Sequence, residues 1–358
     1  MKAVKYHGPR NLELIETAIP SPGIGEVLIK IEYCGICGTD IHAYQMEGIF
    51  DWELIPGHEG VGIVAQIGEG VDCVSVGDRV AIGPPGDCGD CYSCNTGNPN
   101  TCPDAFPNTL GIGPDTKGAF AQYVLSKYPK NELFKIPDEV SLDDAALFDI
   151  LGVGFHSVRR SNMRVGDSAV VSGCGAIGLS VIQAARLAGA YPIVAFATKA
   201  AKRELALACG ADYAFDPARA EDISEAKSLL KRTDGAQVCY EAAGSPGSIG
   251  TCLELCMPSG QIMMIGTDGR PFPLVTGAVG PRQIDMNFSF TYTKEEIIKV
   301  FDLIRSGRLD VSPYTRVKVA LEDAVSALED LATRKLDVAR VLLTPNAGGS
   351  RDGAQPDG

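Results

Sequence analysis

The sequence predicts an α/β protein of two domains, one β-rich and one a doubly wound parallel sheet. Three observations carry this. The chain has 358 residues, and at roughly 100–200 residues per domain two domains are expected. Its first third reads as short alternating strands broken by glycine turns. From residue 168 a short apolar strand, a G-x-G-x-x-G turn and a helical run follow one another, and the pattern continues as βαβ.

In the first third, VLIKIEY at 27–33 follows the turn signal PGIG at 22–25 and reads as a strand. Residues 61–67 alternate with glycines like a bent barrel strand, and 76–80 reads as another. Net charge is -13. Phosphate binding needs the opposite balance, so no nucleic-acid partner is expected. MKAVKYHGPR at the N-terminus lacks an apolar signal region. No run of about 18 apolar residues predicts a membrane span, so a cytoplasmic protein is expected.

Twelve cysteines are present. Four of them, Cys88, Cys91, Cys94 and Cys102, fall at gaps of two, two and seven in a loop rich in Gly, Asp, Asn and Pro. Two-residue gaps let one turn aim successive thiolates at a point, and four thiolates close a tetrahedral zinc site. Such a site holds a loop in shape and leaves no position for chemistry. The alternative is a disulfide cluster or unrelated thiols. The remaining cysteines are scattered singly, which suits a reducing compartment.

A second set lies outside this lobe. Cys37, His58 and Glu59 offer a thiolate, an imidazole and a carboxylate, all good zinc ligands. Taken singly, Cys34 and Cys37 could be a redox pair, and His58 a turn histidine.

The middle of the chain carries the glycine motif. Gly173 allows the tight turn, Gly175 lets backbone approach a pyrophosphate, and Gly178 lets helix and strand pack. Ala176 and Ile177 begin the helix whose N-terminus favours the anion. An acid about 20 residues past the last glycine would bind the ribose 2′-hydroxyl of NAD. Ala197 stands nineteen residues past Gly178 and is followed by Thr198, Lys199, Lys202 and Arg203. A 2′-phosphate is repelled by an acid and welcomed by cations, so NADP is expected over NAD. The alternative is that Lys202 and Arg203 are a solvated helix face. Strands at 236–240 and 260–265 follow, and the loops after them include Ala243 and Gly266.

GICGTDIH at 35–42, GHEGVG at 57–62 and the Cys88–Cys102 lobe occur here in that order. The chain thereby resembles the zinc-dependent medium-chain dehydrogenase/reductase superfamily through about Thr344. That group includes alcohol, sorbitol, threonine and butanediol dehydrogenases. The resemblance implies a GroES-like catalytic domain at 1–153 and 293–345 and a Rossmann coenzyme domain at 154–292. It implies two zinc ions, one catalytic and one structural. Cys37 and His58 match catalytic ligands. Glu59 matches a glutamate that is a direct ligand in polyol-type members and an outer neighbour in others. Asp149 fills the third-ligand slot, which is an acid in sorbitol and threonine types; an N-cap role is the alternative. Asp40 matches the carboxylate that orients the histidine, and Thr39 and His42 match a proton relay. Thr291 stands where sorbitol dehydrogenases carry an arginine, which argues against a strict sorbitol pocket.

The implied activity is reversible hydride transfer between an alcohol and NADP, the alcohol being a polyol, a diol or another secondary alcohol. NAD use, and a binding protein without turnover, are the alternatives. A homo-oligomer, dimer or tetramer, is expected. Phe50, Trp52 and Phe106, in loops beside the metal motifs, are candidate pocket walls or core. Residues 277–286 are expected to return the chain to the first module, and 346–358 to be disordered.

Overall fold

The computed structural model describes residues 1–84, 86–114, 116–267, 271–336 and 338–346. Seven strands come first: β1 (Lys2–Gly8), β2 (Asn11–Glu16), β3 (Val27–Gly35), β4 (Gly60–Ile67), β5 (Arg79–Ile82), β6 (Tyr123–Ser126) and β7 (Leu133–Lys135). Six follow: β8 (Ala169–Ser172), β9 (Ile193–Phe196), β10 (Tyr213–Phe215), β11 (Ala236–Glu241), β12 (Cys256–Met264) and β13 (Asp285–Phe288). Then come β14 (Arg316–Ala320) and β15 (Arg340–Thr344). The chain divides into two compact units, Met1–Asp149 with the chain from Tyr292 onward, and Ile150–Thr291.

In the first unit the main sheet runs β14-β15-β3-β4-β5-β7, with β6 also on β3. β3 and β4 pair antiparallel with two register shifts. Such bulges bend a strand pair and let a sheet curl. Gly62 sits in the bend, where a Cβ would fall 2.0 Å from the Lys30 carbonyl oxygen. The curled sheet closes on a core that includes Val27, Ile29, Ile31, Val64, Val80, Ile82, Phe120 and Leu343.

In the second unit six strands run β10-β9-β8-β11-β12-β13, and every pairing is parallel. Counted from β8 this is the doubly wound order 3-2-1-4-5-6, whose ligands bind at strand carboxyl ends beside the first strand. β8 and β9 are buried along their whole length, as strands covered on both faces must be.

Three expectations change here. Residues 277–286 do not lead back to the first module: they run into β13, the sixth strand of the parallel sheet. The first boundary falls at 149/150, inside the helix Phe148–Arg160, and not at 153/154. Its first turn belongs to the first unit because the Phe148 ring packs against Phe134 and Tyr292, at 5.9 and 6.2 Å. Asn346 is not part of a loose tail. Its side-chain amide donates to the carbonyls of Ile31 and Gln122, at 2.7 and 2.9 Å. Residues 347–358 lie outside the described residues.

Candidate active site

β3 ends at Gly35, and Cys37 then caps the short helix Gly38–Gln45. The Asp40 carboxylate accepts from the Cys37 backbone N–H at 2.8 Å, which fixes the cap. Thr39 and His42 stand three residues apart on this helix and so share a face. Across the sheet, His58 and Glu59 lie just before β4. Gly57, at φ +97°, makes that turn, and a Cβ there would meet the Phe120 ring at 2.4 Å.

This geometry brings one ligand atom each of Cys37, His58 and Glu59 within 4.8 Å of one another. A tetrahedral zinc holds its ligand atoms roughly 3.3–3.8 Å apart, within that limit. His58 Nε2 lies 4.0 Å from Glu59 Oε1, and His58 Nδ1 lies 4.0 Å from Asp40 Oδ1. One imidazole nitrogen thus faces the cluster and the other a carboxylate, the usual arrangement of a metal-ligating histidine.

Charge at the site points the same way. Relative exposure is 4% for Asp40, 0% for Glu59 and 7% for Asp149, so three buried carboxylates stand around His58 and the half-buried Cys37 thiol. Arg340 is buried with them and is paired with Glu59. Burial pulls the His58 imidazolium down, but the Cys37 thiolate, Asp40 and Asp149 outweigh it and raise it to about 9. Burial also raises Asp40 and Asp149 above the ordinary carboxylate range, against the pull of His58. Among the described residues, Glu59 Oε1, on the side of the cluster, is buried without a hydrogen-bond partner. Orphaned buried acceptors and excess negative charge are costly, and a divalent cation answers both. The residues therefore fit zinc.

Asp149 is outside the three-residue cluster. Its Oδ1 accepts from the Tyr292 hydroxyl at 2.7 Å, and its carboxylate lies near enough to act on His58. It occupies the first turn of the helix Phe148–Arg160 and is not that helix's N-cap. Two neighbours of the site were not singled out from sequence, Arg340 and Tyr292. Arg340 carried a signal, a lone charge inside the apolar run of the last strand. Gly35 leaves room for it: a Cβ there would lie 2.0 Å from the guanidinium and 2.3 Å from Glu59.

The second cysteine set is equally well assembled. Sulfur atoms of Cys88, Cys91, Cys94 and Cys102 lie within 4.8 Å of one another. Cys91 and Cys94 sulfurs are 3.5 Å apart, and those of Cys88 and Cys102 are 3.6 Å apart. None is in a disulfide. At a Zn–S length of about 2.3 Å, tetrahedral sulfurs would sit roughly 3.8 Å apart, close to these values. The backbone N–H of Cys91 points at the Cys88 sulfur, at 3.4 Å, and the backbone of Cys94 helps lower the Cys91 thiol to about 7. Gly89, at φ +75°, makes the turn between the first two.

In the second unit, Gly173 at φ +106° turns the chain out of β8, and a Cβ there would strike Ala243 at 2.7 Å. Gly175 is the N-cap of the helix Ala176–Leu187, and a Cβ on it would meet nothing within 4 Å. A Cβ on Gly178 would fall 1.8 Å from the Gly173 carbonyl oxygen. Turn, open approach and close packing are thus divided among the three glycines, and Ala176 and Ile177 form the first turn of the helix. The cradle fits a pyrophosphate. Gly266 packs on the loop beside it, where a Cβ would lie 2.1 Å from the Gly244 nitrogen.

Beyond β9 the Ala197 N–H is bonded to the Phe215 carbonyl at 3.0 Å. Thr198 and Lys199 are exposed, and Lys199 is the N-cap of the helix Ala200–Ala208. Arg203 is engaged. Its Nη1 donates to the carbonyls of Ala197 and Thr198, at 2.8 and 3.0 Å, and meets Asp216 at 3.2 Å. It braces the loop, while Lys202 stands beside it half-buried. Among the aromatics, Phe50 is core, packed on Tyr6 at 5.7 Å. Trp52 donates to the Ile112 carbonyl, and Phe106 is exposed.

Comparison with known proteins agrees with this architecture. A family model described as the alcohol dehydrogenase GroES-like domain matches residues 23–138, and one described as zinc-binding dehydrogenase matches 176–306. Sorbitol dehydrogenase of Bacillus subtilis is 31% identical over 97% of this chain and 98% of its own. The structure of 2R,3R-butanediol dehydrogenase from Bacillus subtilis has a TM-score of 0.84 at 28% identity, covering 96% of this chain and 99% of that one. A zinc-binding dehydrogenase structure from Sinorhizobium meliloti, bound to NADP, has a TM-score of 0.85 at 30% identity, with coverage of 96% and 99%. The chain belongs to the zinc-type medium-chain dehydrogenase/reductase superfamily, with a GroES-like and a Rossmann-like domain. Within that superfamily it is an alcohol or polyol dehydrogenase by class. No helix among the described residues is long and apolar enough to cross a membrane.

Proposed function

We propose that the chain oxidises a secondary alcohol, polyol or diol reversibly, with NADP as the preferred hydride acceptor and two zinc ions per chain. The observation that carries the preference is the end of β9, where Ala197 replaces the ribose-binding acid and Thr198 and Lys199 are exposed. Thr198, Lys199 and Lys202 are the residues we assign to the 2′-phosphate. Arg203 supports them by holding the Ala197 and Thr198 carbonyls.

Cys37, His58 and Glu59 would hold the catalytic zinc, with Asp149 as a further carboxylate beside them. Bound there, the ion would supply Lewis acidity toward the substrate oxygen, while the dinucleotide supplies the hydride acceptor. The chain's own part is to orient and to move protons. Asp40 holds the Cys37 cap and faces His58. Thr39 and His42, on one helix face, pass the alcohol proton toward solvent. Cys88, Cys91, Cys94 and Cys102 would hold the second ion with all four positions taken by protein. The chain is also read as a homo-oligomer, because the edge strand β13 leaves Phe288 exposed and Phe290 beyond it. Light scattering tests that.

The direct test is nicotinamide absorbance with polyols, diols and simple alcohols, run with NADP and NAD in parallel. Turnover with NADP well above NAD on one alcohol class is expected. Equal or better turnover with NAD would overturn the cofactor preference. No turnover from zinc-loaded protein across the panel would count against the proposed substrates.

A further inference from the structure

One buried acid in the second unit has no part in the reading above. Glu241 is the last residue of β11 and has no exposed surface. Its Oε1 accepts from the backbone N–H groups of Ala243 and Gly244, at 3.0 and 2.8 Å, and from the Ser248 hydroxyl. Its own carbonyl accepts from the N–H groups of Ile265 and Gly266, at 2.9 and 3.0 Å. Oε2 is buried without a partner among the described residues and would lie 2.9 Å from a Cβ on Gly266. A carboxylate that gathers three donors on one oxygen is a strong local organiser.

What it organises are the loops at the carboxyl ends of three adjacent strands. Ala243, held through Glu241, is the surface against which Gly173 turns. Ala242 donates to the Ser172 carbonyl at 2.9 Å, tying the same loop to β8. On the other side Gly244, at φ +61°, lies against Thr267 and Gly266. The glycine-rich turn, the loop after β11 and the loop after β12 therefore meet around one carboxylate.

We propose that Glu241 is a positioning residue for the dinucleotide, acting through Ala243, Gly244 and Ser248 and never touching the ligand itself. This rests on the reading that the dinucleotide binds at these strand ends. The test is calorimetric titration of NADPH and of NADH into wild type, E241A, E241Q and S248A, with zinc content measured on each. Loss of the three hydrogen bonds to Oε1 should weaken binding to E241A roughly tenfold to a hundredfold. E241Q keeps the accepting oxygen and should stay within about threefold of wild type, with S248A between the two. Zinc content should not move, because the ligands are in the other unit.

A folded E241A with wild-type affinity overturns the proposal. If E241A does not fold, S248A decides: unchanged affinity there overturns it equally, and a loss that E241Q does not share supports it. Wild type that binds neither nucleotide would sink the dinucleotide reading itself, which separates the two failures.

Discussion

The two cysteine-containing clusters of the first unit use similar ligands in opposite surroundings. The Cys88–Cys102 set is made from one loop, of four like ligands, with Cys88 exposed and only Cys102 buried. The Cys37–His58–Glu59 set is drawn from two segments, is chemically mixed, and lies among buried carboxylates with orphaned acceptor atoms. Four thiolates satisfy a tetrahedral ion completely, so the first set can only hold shape. Three mixed ligands leave a position to exchange, and the low-dielectric surroundings make any charge change there count for more. On the proposed function, that difference separates a clamp from a reaction centre.

The comparison breaks most sharply on Cys37. C37A should lose alcohol turnover by on the order of a thousandfold or more, because Lewis acidity supplies several kcal/mol of the barrier reduction. Its thermal midpoint should stay within about 5 °C of wild type. Steady-state kinetics and a thermal melt check both. Loss of the fold in C37A would mean that the mixed cluster is also structural.

C94S should do the reverse. Opening the loop site should lower the melting temperature by about 10 °C and expose residues 88–102 to limited proteolysis. Turnover of the surviving folded protein at low temperature should change little.

Two smaller changes sharpen the picture. Y292F removes the hydrogen bond to Asp149. Zinc retention against a chelator should fall roughly tenfold, as for other groups that orient metal ligands, with the loop zinc unaffected. Equal retention would place Asp149 outside the metal's influence. H42A should slow alcohol oxidation mainly below neutral pH and be partly rescued by added buffer base. An unchanged pH profile would remove His42 from the proton path.

How much of this was legible follows from sequence distance. The loop cysteines and the glycine turn are local, so spacing alone identifies them. The mixed cluster needs two segments to meet, and its motifs give residue types but not burial. Arg340 lies 281 positions beyond Glu59 and meets it because β15 pairs with β3. Strand periodicity marks Arg340 as odd but cannot name its partner. Tyr292 and Asp149 are likewise far apart in sequence. β13 was hard to place because its edge position leaves no continuous apolar run, with Asp285 and Phe288 both exposed. Arg203 is a phosphate candidate by charge, and the fold adds a contact that spacing cannot give: its Nη1 holds Ala197, Thr198 and Asp216.

The most direct test of the division of labour is zinc per chain, by mass spectrometry of purified wild type and C37A, read beside alcohol oxidation of the same samples. Two zinc ions and turnover are expected for wild type, and one zinc ion, an intact fold and no turnover for C37A. Turnover retained in a C37A protein holding a single zinc ion would contradict that division.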